Sequence, residues 1–141
     1  ARNSGNTAQD VARIDGGNGL DTVKLAGSAI TLDLTAILTG VVSEVENLDI
    51  TGSCANIAKL SAKDVLDMGS SNVFNVDPAA VDTRKQLMIT GDGDDQVQLT
   101  DKANWTKTAS TFVFNSHTYD VWNHNSSSLQ LLIDQQIPSV L

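Results

Sequence analysis

Apolar residues alternate with polar ones in short runs along this chain, and turn-forming residues soon interrupt each run. Thr22-Val23-Lys24-Leu25 and Ile30-Thr31-Leu32-Asp33-Leu34 are apolar at every second position. Val45-Glu46-Asn47-Leu48-Asp49-Ile50 keeps the pattern less strictly, and Ile57-Ala58-Lys59-Leu60 resumes it. A period of two places alternate side chains on one face of a sheet, so these runs predict half-buried strands with Thr, Asp and Lys facing out. Later runs at 86–90, 96–99, 111–114, 118–122 and 129–133 continue the series, and Asn115-Ser116-His117 predicts a hairpin turn. One segment differs. Ser61 followed by Asp64 resembles a capping box, Val65, Leu66 and Met68 give an apolar side, and Gly69 follows, which predicts a short helix over 61–68. The expected fold is mainly β, a single β-sandwich or short β-roll-like module with one short helix.

The chain of 141 residues suits one domain. Residues 1–12 are polar and patternless and read as a linker or the end of a preceding repeat, which leaves 13–141 as a single module. The opening Ala1-Arg2-Asn3-Ser4 has no initiator Met, so a piece of a longer protein is expected. No apolar run approaches the roughly 18 residues that a membrane span needs. With 17 acidic against 9 basic residues and a net charge of -8, nucleic acid is disfavoured as a partner, because its phosphates would be repelled. Divalent cations suit that balance better, since a cation makes neighbouring carboxylates tolerable. Cys54 is the only cysteine, so no intrachain disulfide can form; its Gly52–Asn56 surroundings read as a turn, and it reads as a small filler residue.

The chemistry-bearing segment is Gly16-Gly17-Asn18-Gly19-Leu20-Asp21-Thr22-Val23-Lys24, which fits every fixed position of the nonapeptide G-G-x-G-x-D-x-U-x. Glycines let the backbone turn sharply and present carbonyl oxygens, Asp21 adds an anionic oxygen, and Val23 anchors the next strand. Such oxygens suit Ca²⁺, which takes roughly 6–8 of them. An imperfect copy, Thr90-Gly91-Asp92-Gly93-Asp94-Asp95-Gln96-Val97-Gln98, stands 74 residues later, with Thr90 in place of the first glycine. The candidate Ca²⁺ ligands are therefore Gly17, Asn18, Gly19 and Asp21 in the first turn, and Gly91, Asp92, Gly93, Asp94 and Asp95 in the second. The second turn carries three acids, so it is expected to depend more on its ion. The shared offset also suggests that strands Val23–Leu25 and Val97–Leu99 hold related positions and are neighbours, with one ion bridging the turns as an alternative to two separate sites.

The run Ile14–Val23, then Val45–Gly52, Leu60–Leu66 and the closing Tyr119-Asp120-Val121-Trp122 with Leu131-Leu132-Ile133-Asp134, resembles modules of giant RTX adhesins over roughly residues 13–137. That resemblance implies a secreted, bacterial cell-surface protein exported by a type I system, built of β-modules stiffened by Ca²⁺. One member of the family binds ice, and the piece is similar to such a protein's C-terminal region. The irregular spacing of Thr31, Thr35, Thr39 and Thr51 does not suit an ice-binding array. The departure from the family pattern is the 74-residue gap, which excludes a long β-roll of consecutive nonapeptides.

Other constellations are weaker. His117 and His124 flank one expected strand, and no nucleophile elbow accompanies the serines, so no catalytic site is expected. Trp105, Tyr119 and Trp122 read as core of the C-terminal half. The expected function is a non-catalytic, Ca²⁺-stabilised structural module of an adhesin, near its type I secretion region. It would fold where Ca²⁺ is millimolar and stay loose where the ion is scarce. Its expected partners are neighbouring modules of the same chain and the type I secretion machinery, with no nucleic acid, no membrane insertion and a monomeric state. The alternatives are a carbohydrate- or protein-ligand-binding module of the same adhesin, and an ancillary domain of an exported RTX enzyme.

Overall fold

Alternating runs this short cannot bury themselves singly, and the chain solves this by winding them into stacked coils. The computed structural model describes residues 14–71, 73, 74, 76 and 83–141. The expected linker at 1–12 and the module's first residue at 13 lie outside them. The first coil runs through β1 (Ile14–Asp15), β2 (Thr22–Lys24) and β3 (Thr31–Asp33), and the second through β4 (Val42–Ser43), β5 (Asn47–Asp49) and β6 (Ile57–Leu60). After α1 (Ala62–Met68) and β7 (Ser70–Ser71) come β8 (Lys85–Thr90) and β9 (Gln96–Leu99) of the third coil. A hairpin, β10 (Trp105–Phe114) and β11 (His117–His124), precedes the fourth, made of β12 (Leu129–Asp134) and β13 (Ser139–Val140).

Each coil gives one strand to each of two parallel stacks. The first sheet runs β10-β11-β12-β8-β5-β2, with β7 antiparallel to the start of β8, and the second runs β13-β9-β6-β3. Thr22 pairs with Asn47 and then Met88, while Thr31 pairs with Ile57 and then Gln96. Between the sheets lie Leu48, Ile50, Ala58, Leu60, Leu87, Ile89, Val97, Leu99, Leu131 and Ile133, all 5% exposed or less. Ion pairs tie the first two coils on both sheets: Lys24 to Asp49 at 3.1 Å and Lys59 to Asp33 at 3.6 Å, each a register pair.

The first sheet is covered on its outer face as well. Phe74, Met88, Tyr119, Val121 and Leu132 form a second apolar cluster there, flanked by Phe112 and Phe114. Burial on both faces explains why β8 and β12 carry the continuous runs Leu87-Met88-Ile89 and Leu131-Leu132-Ile133 rather than alternation. Buried amides hold the cover down: Gln86 Nε2 donates to Gln130 Oε1 (2.8 Å) and to the Phe74 carbonyl (3.0 Å), while Gln86 Oε1 accepts from the Phe74 amide (2.8 Å). Trp105 and Tyr119 are buried and Trp122 packs against the main core, as expected of them.

The helix begins as expected. Asp64 accepts hydrogen bonds from the Ser61 amide (2.8 Å) and hydroxyl (3.0 Å), closing a capping box. It ends at Gly69 for another reason than a left-handed cap. Gly69 has φ −67°, and a Cβ there would lie 2.7 Å from the Gln86 carbonyl oxygen. Cys54 needs correcting too: it is exposed, in a turn with φ 60°, and fills nothing. No helix among the described residues is long and apolar enough to cross a membrane.

Candidate functional site

The two Gly/Asp turns occupy different corners of the stack. The first lies between β1 and β2, where the chain enters the first sheet, and the second lies between β8 and β9, where it leaves that sheet two coils on. Val23 consequently sits in the first sheet and Val97 in the second. This overturns the expectation that strands 23–25 and 97–99 hold related, neighbouring positions, and with it the single ion bridging both turns. The 74-residue match reflects a local need shared by two sharp turns, not an equivalent place in the fold.

In the first corner, Gly16 presses its Cα against the Glu44 carbonyl oxygen, which a Cβ would overlap. Gly17 (φ +81°) and Gly19 (φ +120°) hold left-handed backbone that glycine alone adopts readily. Asn18 is exposed between them. Asp21 closes the turn: its carbonyl accepts from the amides of Glu46 (3.2 Å) and Asn47 (3.1 Å), and its own amide donates to Glu46 Oε2 at 2.9 Å. Glu46 is fully buried, with its other oxygen accepting from the Ser70 hydroxyl at 2.5 Å. Asp21 Oδ2 is buried and has no hydrogen-bond partner. Among the described residues, Trp122 Nε1 is the only other buried side-chain polar atom in that condition.

The second corner is self-contained. Asp95 is 1% exposed, and its two oxygens accept from the backbone amides of Asn56 (2.9 Å) and Asp92 (2.8 Å). Asp92 Oδ1 accepts from the Asp94 amide at 3.2 Å, and Gly93 and Asp94 point to solvent. Burial pushes the Asp95 carboxyl above its ordinary value, the negative charge of Asp92 adds to the rise, and the two amides oppose it. One coil below, Asn56 holds the same place, with Oδ1 accepting from the Ile30 amide (2.9 Å) and Nδ2 donating to the Ile50 carbonyl (3.0 Å). Gly91 packs beside Ile137 and Asp95. The second turn is thus the top of an Asn/Asp column that stitches corner to corner.

The acid count favours the second turn as the ion-dependent one, whereas the hydrogen bonding favours the first. A carboxylate whose oxygens already accept amides has less to offer an ion than one with an orphaned oxygen. No three His, Cys, Asp or Glu side chains come together among the described residues. A cation at the first corner would therefore draw on backbone carbonyls, which is what a glycine turn supplies.

Both histidines are engaged in structure. His117 Nδ1 meets the buried Asp134 Oδ2 at 2.7 Å. His124 Nδ1 accepts from the Ser126 and Ser127 amides (3.3 and 3.0 Å), and its ring packs edge-on to Trp105. The sequence reading missed Glu46 and Asn56. For Glu46 a signal existed: Glu46, Leu48 and Ile50 share one parity, as do Asp21, Val23 and Leu25, so both acids stand at inward positions of the alternation.

Comparison with protein-family models, with curated proteins and with solved structures finds no match.

Proposed function

We propose that this chain is a non-catalytic, Ca²⁺-stabilised structural module of a secreted, cell-surface adhesin of the RTX type, near its type I secretion region. The observation that carries the calcium reading is Asp21 Oδ2, a buried carboxylate oxygen without a partner inside a glycine turn. A buried anion left unpaired is costly, and a hard cation with oxygen ligands relieves that cost. The adhesin reading rests on the ordered motifs of residues 13–137 and on the coil architecture, which suits a load-bearing spacer. In this reading the ion belongs to the first corner, and the second corner is held by its own amides.

Thermal melts in EDTA, MgCl₂ and CaCl₂ test it. Calcium is expected to raise the midpoint clearly more than magnesium, which demands a stricter octahedron and gives up water reluctantly. Asp21→Asn is expected to remove most of that gain and Asp95→Asn to leave it in place. Superimposable wild-type curves in all three solutions would sink the calcium reading.

A further inference from the structure

Asn18 is exposed in the first turn and is followed by a glycine, the one Asn-Gly step in the chain. Among the described residues, neither its side-chain amide nor the Gly19 backbone N–H has a hydrogen-bond partner. Gly19 holds φ +120°, and a Cβ built there would meet nothing within 4 Å, so no neighbouring group shields that side of the turn. The other described asparagines lack this combination. Asn56 is buried and bonded through both of its side-chain polar atoms. Asn47, Asn123 and Asn125 carry side-chain hydrogen bonds, and the exposed Asn104 and Asn115 precede Trp105 and Ser116, whose side chains stand beside the next backbone nitrogen.

We propose that Asn18-Gly19 is a site of spontaneous deamidation, through which the turn changes its own charge and backbone with time. The Gly19 backbone nitrogen attacks Asn18 Cγ. A C–N bond forms, the Cγ–Nδ2 bond breaks, and Nδ2 leaves as ammonia with the proton shed by the Gly19 nitrogen. The cyclic imide that remains is opened by water, at Cγ to give aspartate or at the main-chain carbonyl carbon to give isoaspartate. No oxidant, reductant or further reactant is needed. Glycine favours the step because it has no Cβ to hinder the attacking nitrogen and lets the backbone swing into the ring geometry. Aspartate sets a second carboxylate in the nonapeptide that carries Asp21, whereas isoaspartate lengthens the main chain there by a methylene. The chemistry is independent of whether the turn holds an ion.

Incubation of the whole chain in warm neutral buffer with EDTA, followed by trypsin digestion and mass spectrometry against a zero-time digest, tests this. Cleavage after Arg13 and Lys24 releases Ile14–Lys24, in which Asn18 is the only amide side chain, so conversion is assigned without ambiguity. The peptide 108–141, with Asn115, Asn123 and Asn125, is the internal comparison. Ile14–Lys24 is expected to convert about tenfold or more faster than 108–141, and Gly19→Ala to slow that conversion by about tenfold. Its product is expected to contain isoaspartate, detected by enzymatic carboxyl methylation. If Gly19→Ala does not fold, the wild-type isoaspartate still decides the matter, because ring closure through the Gly19 nitrogen is what forms it. A peptide Ile14–Lys24 that stays unconverted, or converts no faster than 108–141, would overturn the proposal. Conversion to aspartate alone, or at the same rate in Gly19→Ala, would reject attack by the Gly19 nitrogen.

Discussion

Asp95 bridges two coils through backbone amides, whereas Asn56 does the equivalent work one coil below with an uncharged side chain. That difference has a pH signature. Asp95 is held above its ordinary value of 3.8, chiefly by burial, so the fold favours its neutral form. The stability this confers is complete below about pH 3.8 and is lost as pH rises through the folded value. Asp49 behaves oppositely: burial raises it, but the Thr51 hydroxyl and amide and Lys24 outweigh that and hold it low. Its contribution is present above the ordinary value and is lost as pH falls. In EDTA, Asp95→Asn is therefore expected to gain on the wild type as pH rises from about 3.5 to 7, as measured by urea unfolding. A difference that does not change with pH would show that the Asp95 charge has no energetic role.

The hairpin of β10 and β11 turns on Asn115 (φ 49°) and Ser116 (φ 66°), two residues of left-handed backbone between the pair Phe114 and His117. Such a turn matches strand twist, and glycine suits its second position better than serine. Ser116→Gly is expected to stabilise by roughly 0.5–1 kcal/mol, a midpoint rise of about 2–3 °C. Scanning calorimetry checks it, and a fall would mean that the loss of unfolded-chain restriction outweighs the turn strain. The hairpin was legible in the sequence because Thr111–Phe114 and Thr118–Trp122 flank turn residues. The first half of β10 was not legible, since Thr106, Lys107, Ala109 and Ser110 are exposed and carry no apolar rhythm. Strands 57–60 and 96–99 stand where alternation put them, because one face alone is buried. Of the two inward acids, Asp21 was legible as the acid of a glycine turn, but Glu46 within Val45–Ile50 read only as part of an imperfect strand. Asn56 was hidden because a corner column appears only once separate coils are stacked.

At the scale of the molecule, parallel coiling escaped a sequence reading because the repeat is uneven. Asp21 and Glu46 are 25 residues apart, but Asn56 and Asp95, also on successive coils, are 39 apart, since α1 and the segment after it intervene. The stack is also unlike at its two ends. On the first sheet β12 is covered by the hairpin, whereas β2 and β3 are outermost, and the first coil's Val23, Leu25, Leu32, Ile37 and Val41 are only partly buried. This asymmetry gives the molecule a mechanical direction. Tension applied between the two termini is expected to load the first coil by peeling, one backbone bond after another, because its apolar residues are the less buried ones. Solenoid coils contact only their neighbours, so they can yield in turn and not all at once. Under steady pulling in EDTA, the chain is expected to lengthen first by a step of about 8 nm, the extended length of one 25-residue coil. If the first corner holds Ca²⁺ as proposed, that early step is expected to move to higher force, so that dissolved calcium sets how far the chain gives before it holds.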